Sequence, residues 1–315
     1  MLIKPEDSMI DCIYIAASAR DARYTRICVA SIRYFYPEIP IQLLAGGPLQ
    51  RGLAEELHRY WDVEVANLPL GDYGWGFVKL EPLFRPPGER FMILDSDTVF
   101  TGPVLKVAVG RGEDFIVDDE HQTPARAKEI YYNWEGAEDE GCSMRTPSFF
   151  FNTGQWFGRS GILRRDDFAD LIQWSFPRRL TKPSVFKNGE QGVLNFVINE
   201  QVRIRSMQVL RVPLMRWPGY GLHGLDVENV SKRSARPMVV HWAGMKRTRL
   251  SKMTGASLLA YFEQVYYQRL PAGSLRRALA SSRSVLSDWQ RNVLVRFKLS
   301  SRRFLASAAT LFPTL

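Results

Sequence analysis

The run Phe91-Met92-Ile93-Leu94 is apolar without a break and closes on Asp95-Ser96-Asp97. A short uninterrupted apolar run fits a strand that is covered on both faces of its sheet. The strand is expected to end at Asp95, so both acids stand at its carboxyl end, the edge where open α/β sheets bind their ligands. Residues i and i+2 of an extended chain project to the same side. Two carboxylates therefore converge on one small volume, where they repel each other unless a cation sits between them. A divalent metal holding a diphosphate is the expected resident. An ordinary turn or helix cap also uses Asp at such positions, so the pair needs support from elsewhere in the chain.

The surrounding pattern alternates. Residues 11–18 read as a first strand, and residues 23–36 carry apolar side chains at helical spacing up to Pro37. A second strand spans 40–45, a second helix 49–60, a third strand 63–68, a short helix or turn 77–84 and the fourth strand 91–94. Strands alternating with helices predict a mostly parallel central sheet with helices on both faces. Further along, strands are expected at 114–118, 148–151 and 237–240, and helices at 166–176, 189–198 and 256–269. The stretch 271–274, Pro-Ala-Gly-Ser, is the candidate linker, giving a domain over 1–270 and a tail over 271–315.

The chain has 315 residues, 45% hydrophobic and 24% charged, enough for a core of normal size. Three widely spread cysteines, Cys12, Cys28 and Cys142, form no C-x-x-C pair, which argues against a thiolate metal site or a disulfide framework. A reducing, cytoplasmic setting fits this usage. No stretch is apolar enough to predict a membrane-spanning helix, and residues 1–11 lack the pattern of a signal peptide. The net charge of +9 is concentrated: eight basic residues and one acid, Asp288, fall after Pro271. There Leu275, Leu279, Leu286, Trp289, Val293, Phe297 and Phe304 recur near helical spacing among the arginines. A basic amphipathic helix of this kind reads as an element for an anionic membrane surface; a solvated helix or a nucleic-acid contact are the other readings.

Three more segments carry chemistry. Pro237-Met238-Val239-Val240 is a second apolar run, delivering His241, a side chain that joins carboxylates on Mn²⁺ or similar ions. Behind it, Gly244 allows close backbone approach, and Lys246 or Arg247 offers a phosphate contact. Gly189-Glu190-Gln191-Gly192-Val193-Leu194-Asn195 opens a helix whose backbone N–H groups favour anions. Phe149-Phe150-Phe151 runs into Asn152-Thr153-Gly154 much as residues 91–94 run into Asp95. The aromatic stretches 131–134 and 216–221 fit either acceptor sugars or simple core packing.

In order, the segments Leu94–Asp97, Phe151–Gly154, Gly189–Asn195 and Val240–Lys246 resemble the motifs of the family-eight retaining glycosyltransferases, which have the GT-A fold and include glycogenin and galactosyltransferases of lipopolysaccharide synthesis. The resemblance spans about residues 11–250. It implies that Asp95, Asp97 and His241 bind Mn²⁺ (or Mg²⁺), and that Asn152, Glu190 and Gln191 lie near the reacting sugar. It also implies that Ala16, Ala17, Tyr24, Lys79, Asp95, Ser96, Gly244, Lys246 and Arg247 contact the nucleotide-sugar. The chain departs from the family pattern in having Glu rather than Asp at 190, Lys246 one residue early with Arg247 in its place, and a longer loop between the first strand and Tyr24. The activity implied is metal-dependent transfer of a hexose, with retention, from a UDP-sugar to a glycan or lipid-linked acceptor on the inner face of a membrane. The alternatives are a membrane-docked pseudoenzyme that binds nucleotide, and a sugar nucleotidyltransferase; against the latter, residues 16–23 contain no glycine for a phosphate loop.

Overall fold

The computed structural model describes residues 10–74, 76–137, 144–205, 207–245, 248, 250–280 and 282. Its strands are β1 (Cys12–Ala17), β2 (Ile41–Ala45), β3 (Val63–Val65), β4 (Arg90–Asp95), β5 (Thr98–Phe100), β6 (Phe115–Asp118), β7 (Gln155–Arg159), β8 (Ile172–Gln173), β9 (Arg179–Leu180), β10 (Val209–Val212), β11 (Met215–Arg216) and β12 (Val239–His241). The α-helices are α1 (Ala22–Phe35), α2 (Leu53–Trp61), α3 (Pro124–Ile130), α4 (Glu190–Arg205), α5 (Val227–Ser231) and α6 (Ala256–Gln268). A 3-10 helix covers Phe77–Phe84. The chain divides into two units, residues 1–262 and 263–315.

The first unit is built on a seven-stranded sheet in the order β10-β6-β7-β4-β1-β2-β3. All neighbours are parallel except those of β7, which runs antiparallel to both β4 and β6. Parallel pairs need long crossovers, and α1 and α2 supply them between β1, β2 and β3. The period of two along the strands then sorts the core. Tyr14, Phe91, Ile93 and Trp156 pack with Val193, Leu194 and Val197 of α4 and with Phe77 and Leu80 of the 3-10 helix. Ile13, Ile15, Met92 and Leu94 alternate with them on the opposite face and are equally buried. The apolar run 91–94 is thus a central strand covered on both sides, as its composition requires. A second sheet, β11-β12-β5, stands at the carboxyl end of β4.

Two expected elements are replaced. Residues 148–151 are extended but make only an isolated bridge, Glu120 to Phe150; the sheet strand lies further on, at β7. The backbone of this segment is bonded instead to side chains of α4. Residues 166–176 are not a helix: a 3-10 turn over Arg165–Phe168 gives way to the β8–β9 hairpin. Asp167 closes the turn by accepting from Arg164 N–H at 2.7 Å. Pro177 then pushes Phe176 toward extended backbone, and Arg178 is fixed by Glu81 and by the rings of Tyr73 and Trp174. The stretch Tyr131-Tyr132-Asn133-Trp134 is core: all three rings are buried, with Tyr131 donating to Glu120.

In the second unit, residues 273–280 are helical, and Arg277 reaches Glu263 at 3.8 Å. Leu275 and Leu279, one turn apart, are 62% and 52% exposed. The remainder of the basic tail, from 283 on, lies outside the described residues, as do Lys246 and Arg247. No helix among the described residues is long and apolar enough to cross a membrane.

Candidate active site

Strand pairing assembles the acidic cluster from distant parts of the chain. β4 ends at Asp95, a tight turn follows, and β5 starts at Thr98. The turn is held by Thr98 Oγ1 donating to Asp95 O at 2.7 Å. β12 lies antiparallel to β5 with His241 opposite Thr98, and Trp242 N–H donates to Asp97 O at 3.0 Å. The imidazole therefore arrives beside Asp97. His241 Nε2 stands 3.4 Å from Asp97 Oδ1 and 3.7 Å from Asp95 Oδ2. One ligand atom from each of the three residues lies within 4.8 Å of the others. Asp97 and His241 are 2% and 1% exposed, whereas Asp95 is partly open.

These residues fit a divalent cation. Neither nitrogen of His241 has a hydrogen-bond partner among the described residues although both are buried, a costly arrangement for an imidazole unless something else satisfies it. Two carboxylates with one imidazole form a donor set suited to Mn²⁺ or a similar ion. Gly154 makes the packing possible: a Cβ there would fall 2.1 Å from His241 Cε1.

A second cluster adjoins it. Lys79, from the 3-10 helix, donates to Asp95 Oδ1 at 3.0 Å and to Thr153 O at 3.1 Å, and pairs with Glu190 Oε1 at 2.5 Å. Burial alone would lower the Lys79 ammonium's affinity for its proton, but Asp95 and Glu190 more than reverse this and hold it charged well above its ordinary range. Burial raises the Glu190 carboxyl, against the pull of Lys79. Glu190 Oε1 also accepts from Thr153 Oγ1 at 2.9 Å, while Oε2 is buried without a hydrogen-bond partner and lies against Gly76. A Cβ on Gly76 would stand 1.7 Å from Glu190 Oε2, and φ there is +79°. Glycine at 76 is thus what admits the longer acid at 190.

Helix α4 sets the remaining amides. Gln191, Asn195 and Asn199 follow each other at intervals of four on one face. Asn199 accepts from Ser148 N–H at 2.9 Å and donates to Phe149 O at 3.0 Å. Asn195 accepts from Phe151 N–H and donates to Phe151 O, both at 2.9 Å. Gln191 Oε1 accepts from Asn152 Nδ2 at 3.2 Å and from Thr153 N–H at 3.4 Å. Four helical residues advance about 6 Å and two extended residues about 6.6 Å, so the two rows stay in step. This side-chain ladder replaces the strand partner that residues 148–151 lack, and it delivers Asn152 to Gln191.

The other expected contacts fall as follows. Ala16 pairs in register with Asp95. Beyond Ala17, a cleft of about 830 Å³ opens over the carboxyl ends of β1, β2 and β3, lined by Ser18, Gly46, Gly47, Leu68, Leu70 and Asp72. It shares the sheet edge with Asp95. Tyr24 does not offer a free ring: it is 6% exposed in α1, with its hydroxyl toward Met253 Sδ at 3.7 Å. Ser96 is buried in the turn between the acids, and Gly244 is exposed with φ +74°. Sequence reasoning missed the bridging role of Thr153, the space left by Gly76, and Trp217, whose ring stacks on His241. The only signal for Thr153 was its place between Asn152 and Gly154; Gly76 carried none, and Trp217 stood out only within an aromatic stretch with nothing to tie it to His241, because their partners are far away in sequence.

Topology and site together define the class of architecture. A mostly parallel α/β sheet with a small second sheet at the carboxyl end of its central strand is the GT-A fold of nucleotide-diphospho-sugar glycosyltransferases. The chain is similar to the galactosyltransferase LgtC, solved with donor and acceptor sugar analogues, at TM-score 0.53 and 12% identity over 81% of this chain and 95% of that one. It is also similar to the bifunctional glycosyltransferase WbbM (TM-score 0.52, 14% identity), covering 84% of this chain and 50% of WbbM. A third likeness is to the glycosyltransferase GlyE of Streptococcus pneumoniae TIGR4 (TM-score 0.50, 14% identity), over 88% of this chain and 64% of GlyE. No protein-family model matches the sequence, and no curated protein matches it.

Proposed function

We propose that the chain is a metal-dependent glycosyltransferase that moves a hexose from a nucleotide-diphosphate sugar, a UDP-sugar by the motif resemblance, to a saccharide or lipid-linked acceptor with retention. The observation that carries this reading is the Asp95-Asp97-His241 group, with Asp97 and His241 buried and Asp95 partly open, at the carboxyl end of the central strand of a GT-A fold. Asp95, Asp97 and His241 would hold the cation. When bound there, a divalent ion supplies charge neutralisation for a departing diphosphate. The cleft above β1 to β3 has room for a nucleoside and opens on the same sheet edge as Asp95. Lys246 and Arg247 follow His241 in sequence and would add positive charge at the phosphates.

The amide and carboxylate groups beside Lys79 favour attack by the acceptor on the face the diphosphate leaves. Gln191 Oε1 already accepts from Asn152 and Thr153, and an amide oxygen so engaged is a poor nucleophile. Glu190 Oε1 is tied to Lys79 and Thr153, and Oε2 is turned to Gly76. Neither is presented as a free base for a covalent intermediate. Their role is to place negative potential near an oxocarbenium-like centre. The basic tail, with two exposed leucines at the start of its helical segment, supports peripheral attachment to an anionic membrane.

A panel of UDP- and GDP-sugars, incubated with the protein and Mn²⁺ or chelator, tests the reading. Slow Mn²⁺-dependent hydrolysis of one donor is expected, lost with chelator and reduced at least 100-fold in Asp97→Ala, as for loss of a preorganised charge-stabilising group. Mn²⁺-dependent nucleotide binding without turnover would point to a pseudoenzyme. Absence of both would sink the assignment of the acidic pair.

A further inference from the structure

An imidazole that binds a metal generally has its plane fixed by a hydrogen bond from its second nitrogen to a carboxylate or carbonyl. Among the described residues His241 has no such bond. Its Nε2 looks toward Asp97 and Asp95. Its Nδ1 and Cε1 look toward Gly154, where a Cβ would stand 2.6 and 2.1 Å away, and neither nitrogen has a hydrogen-bond partner among the described residues. The ring is instead held by its face. Trp217 lies against it, with centroids 5.2 Å apart and planes 19° from parallel.

Strand register produces this stack. β11 runs parallel to β12 with Met215 opposite Val239 and Arg216 opposite Val240. One residue further, Trp217 follows Arg216 as His241 follows Val240, so the same short sheet delivers both rings side by side. The loop beyond is closed around Trp217. Tyr220 N–H donates to Trp217 O at 3.1 Å. Arg216 folds back to donate from Nε to Gly221 O at 3.0 Å and from Nη2 to Tyr220 O at 2.7 Å. The backbone that carries the indole is therefore held by hydrogen bonds within residues 216–221.

We propose that Trp217 is a positioning residue for the cation site: its indole, stacked on the His241 imidazole in place of the missing hydrogen bond, holds Nε2 on the line toward the oxygens of Asp95 and Asp97. The role rests on the reading of those three residues as metal ligands. It requires an aromatic face at 217, not merely an apolar side chain of similar volume.

The full-length protein, Trp217→Phe, Trp217→Leu and Asp97→Ala are titrated with Mn²⁺, and free ion is counted by electron paramagnetic resonance. Trp217→Phe should bind within about threefold of the parent, and Trp217→Leu about 10- to 100-fold more weakly, the usual cost of losing an outer-shell partner of a ligand. A second readout needs no metal. The chain has four histidines, so the ring protons of His241 can be assigned in labelled protein by their loss in His241→Ala. They should lie upfield in the parent and in Trp217→Phe, and move downfield in Trp217→Leu. Parental Mn²⁺ affinity in a folded Trp217→Leu overturns the positioning role while leaving the metal site intact. A parent that binds no Mn²⁺, or binds it equally in Asp97→Ala, overturns the metal reading itself and the positioning role with it.

Discussion

Asp118 ends β6 with Oδ1 accepting the N–H groups of Leu214 and Met215, each at 2.8 Å. Burial still pushes its carboxyl up to about 6. Because the folded value lies above the unfolded one, the folded state binds the extra proton between the two. The stabilising contribution is fully present below about pH 4 and is lost as pH rises through 6. A shift of about two units corresponds to at most about 3 kcal/mol. Asp118→Asn keeps the acceptor oxygen and removes the titration. Its unfolding free energy relative to the parent should therefore improve by about 1–3 kcal/mol between pH 4 and pH 7; a difference that stays constant across that range refutes the account. At the same scale, the sequence made legible those site residues that end apolar runs: Asp95, Asp97, His241 and Asn152. Residues that act by leaving space or by offering a ring face were not legible. Gly76 matters because of the extra methylene of Glu190, and Gly154 because of the His241 ring; both partners come from remote segments. Tyr24 was placed by motif order alone, and its burial in α1 is a tertiary outcome that spacing does not encode.

Among the elements, the ladder between α4 and residues 148–153 is the least ordinary, since side chains do the work of a neighbouring strand. Asn195 is its central rung, fully buried and bonded to both backbone groups of Phe151. Asn195→Leu would leave that N–H and C=O without partners, at a cost of about 2–6 kcal/mol at 1–3 kcal/mol for each buried polar group. Donor turnover should fall as well, because Asn152 and Gln191 lose their shared reference, while Mn²⁺ affinity stays within about threefold of the parent. Thermal unfolding, single-turnover rates and a Mn²⁺ titration separate these effects. Equal losses in all three would mean that the ladder holds the whole site and not the amides alone. The same feature explains why residues 148–151 read as a sheet strand. Their composition is that of buried extended chain, which they are, but the identity of the hydrogen-bonding partner is not written in the segment itself. The parallel half of the sheet was legible for the opposite reason: its apolar runs and intervening amphipathic helices are each local signals. The β8–β9 hairpin was not, because Phe168, Leu171 and Ile172 imitate helical spacing while Arg178, bonded to Glu81, fixes the turn.

At the scale of the whole molecule, charge separates the two parts of the chain. Seven of the nine net positive charges follow Pro271, leaving the part that bears the site nearly neutral. Such a tail has a direct use at an anionic lipid surface. Each basic residue near that surface contributes about 1 kcal/mol, and apolar residues at helical spacing add burial in the interfacial region. Replacing Arg291, Arg296, Arg302 and Arg303 by Gln should therefore weaken partitioning onto phosphatidylglycerol vesicles by about 4 kcal/mol, on the order of a thousandfold. The donor hydrolysis rate in solution should not change, because the acidic cluster, Lys79 and α4 all belong to residues 79–241. Partitioning of the parent should also fall steeply with added salt, while binding to vesicles of neutral lipid should be weak throughout. Vesicle sedimentation across a salt series measures both. Partitioning that survives the four substitutions and high salt would assign attachment to the apolar residues, Leu275 and Leu279 among them, and remove the electrostatic account of the tail.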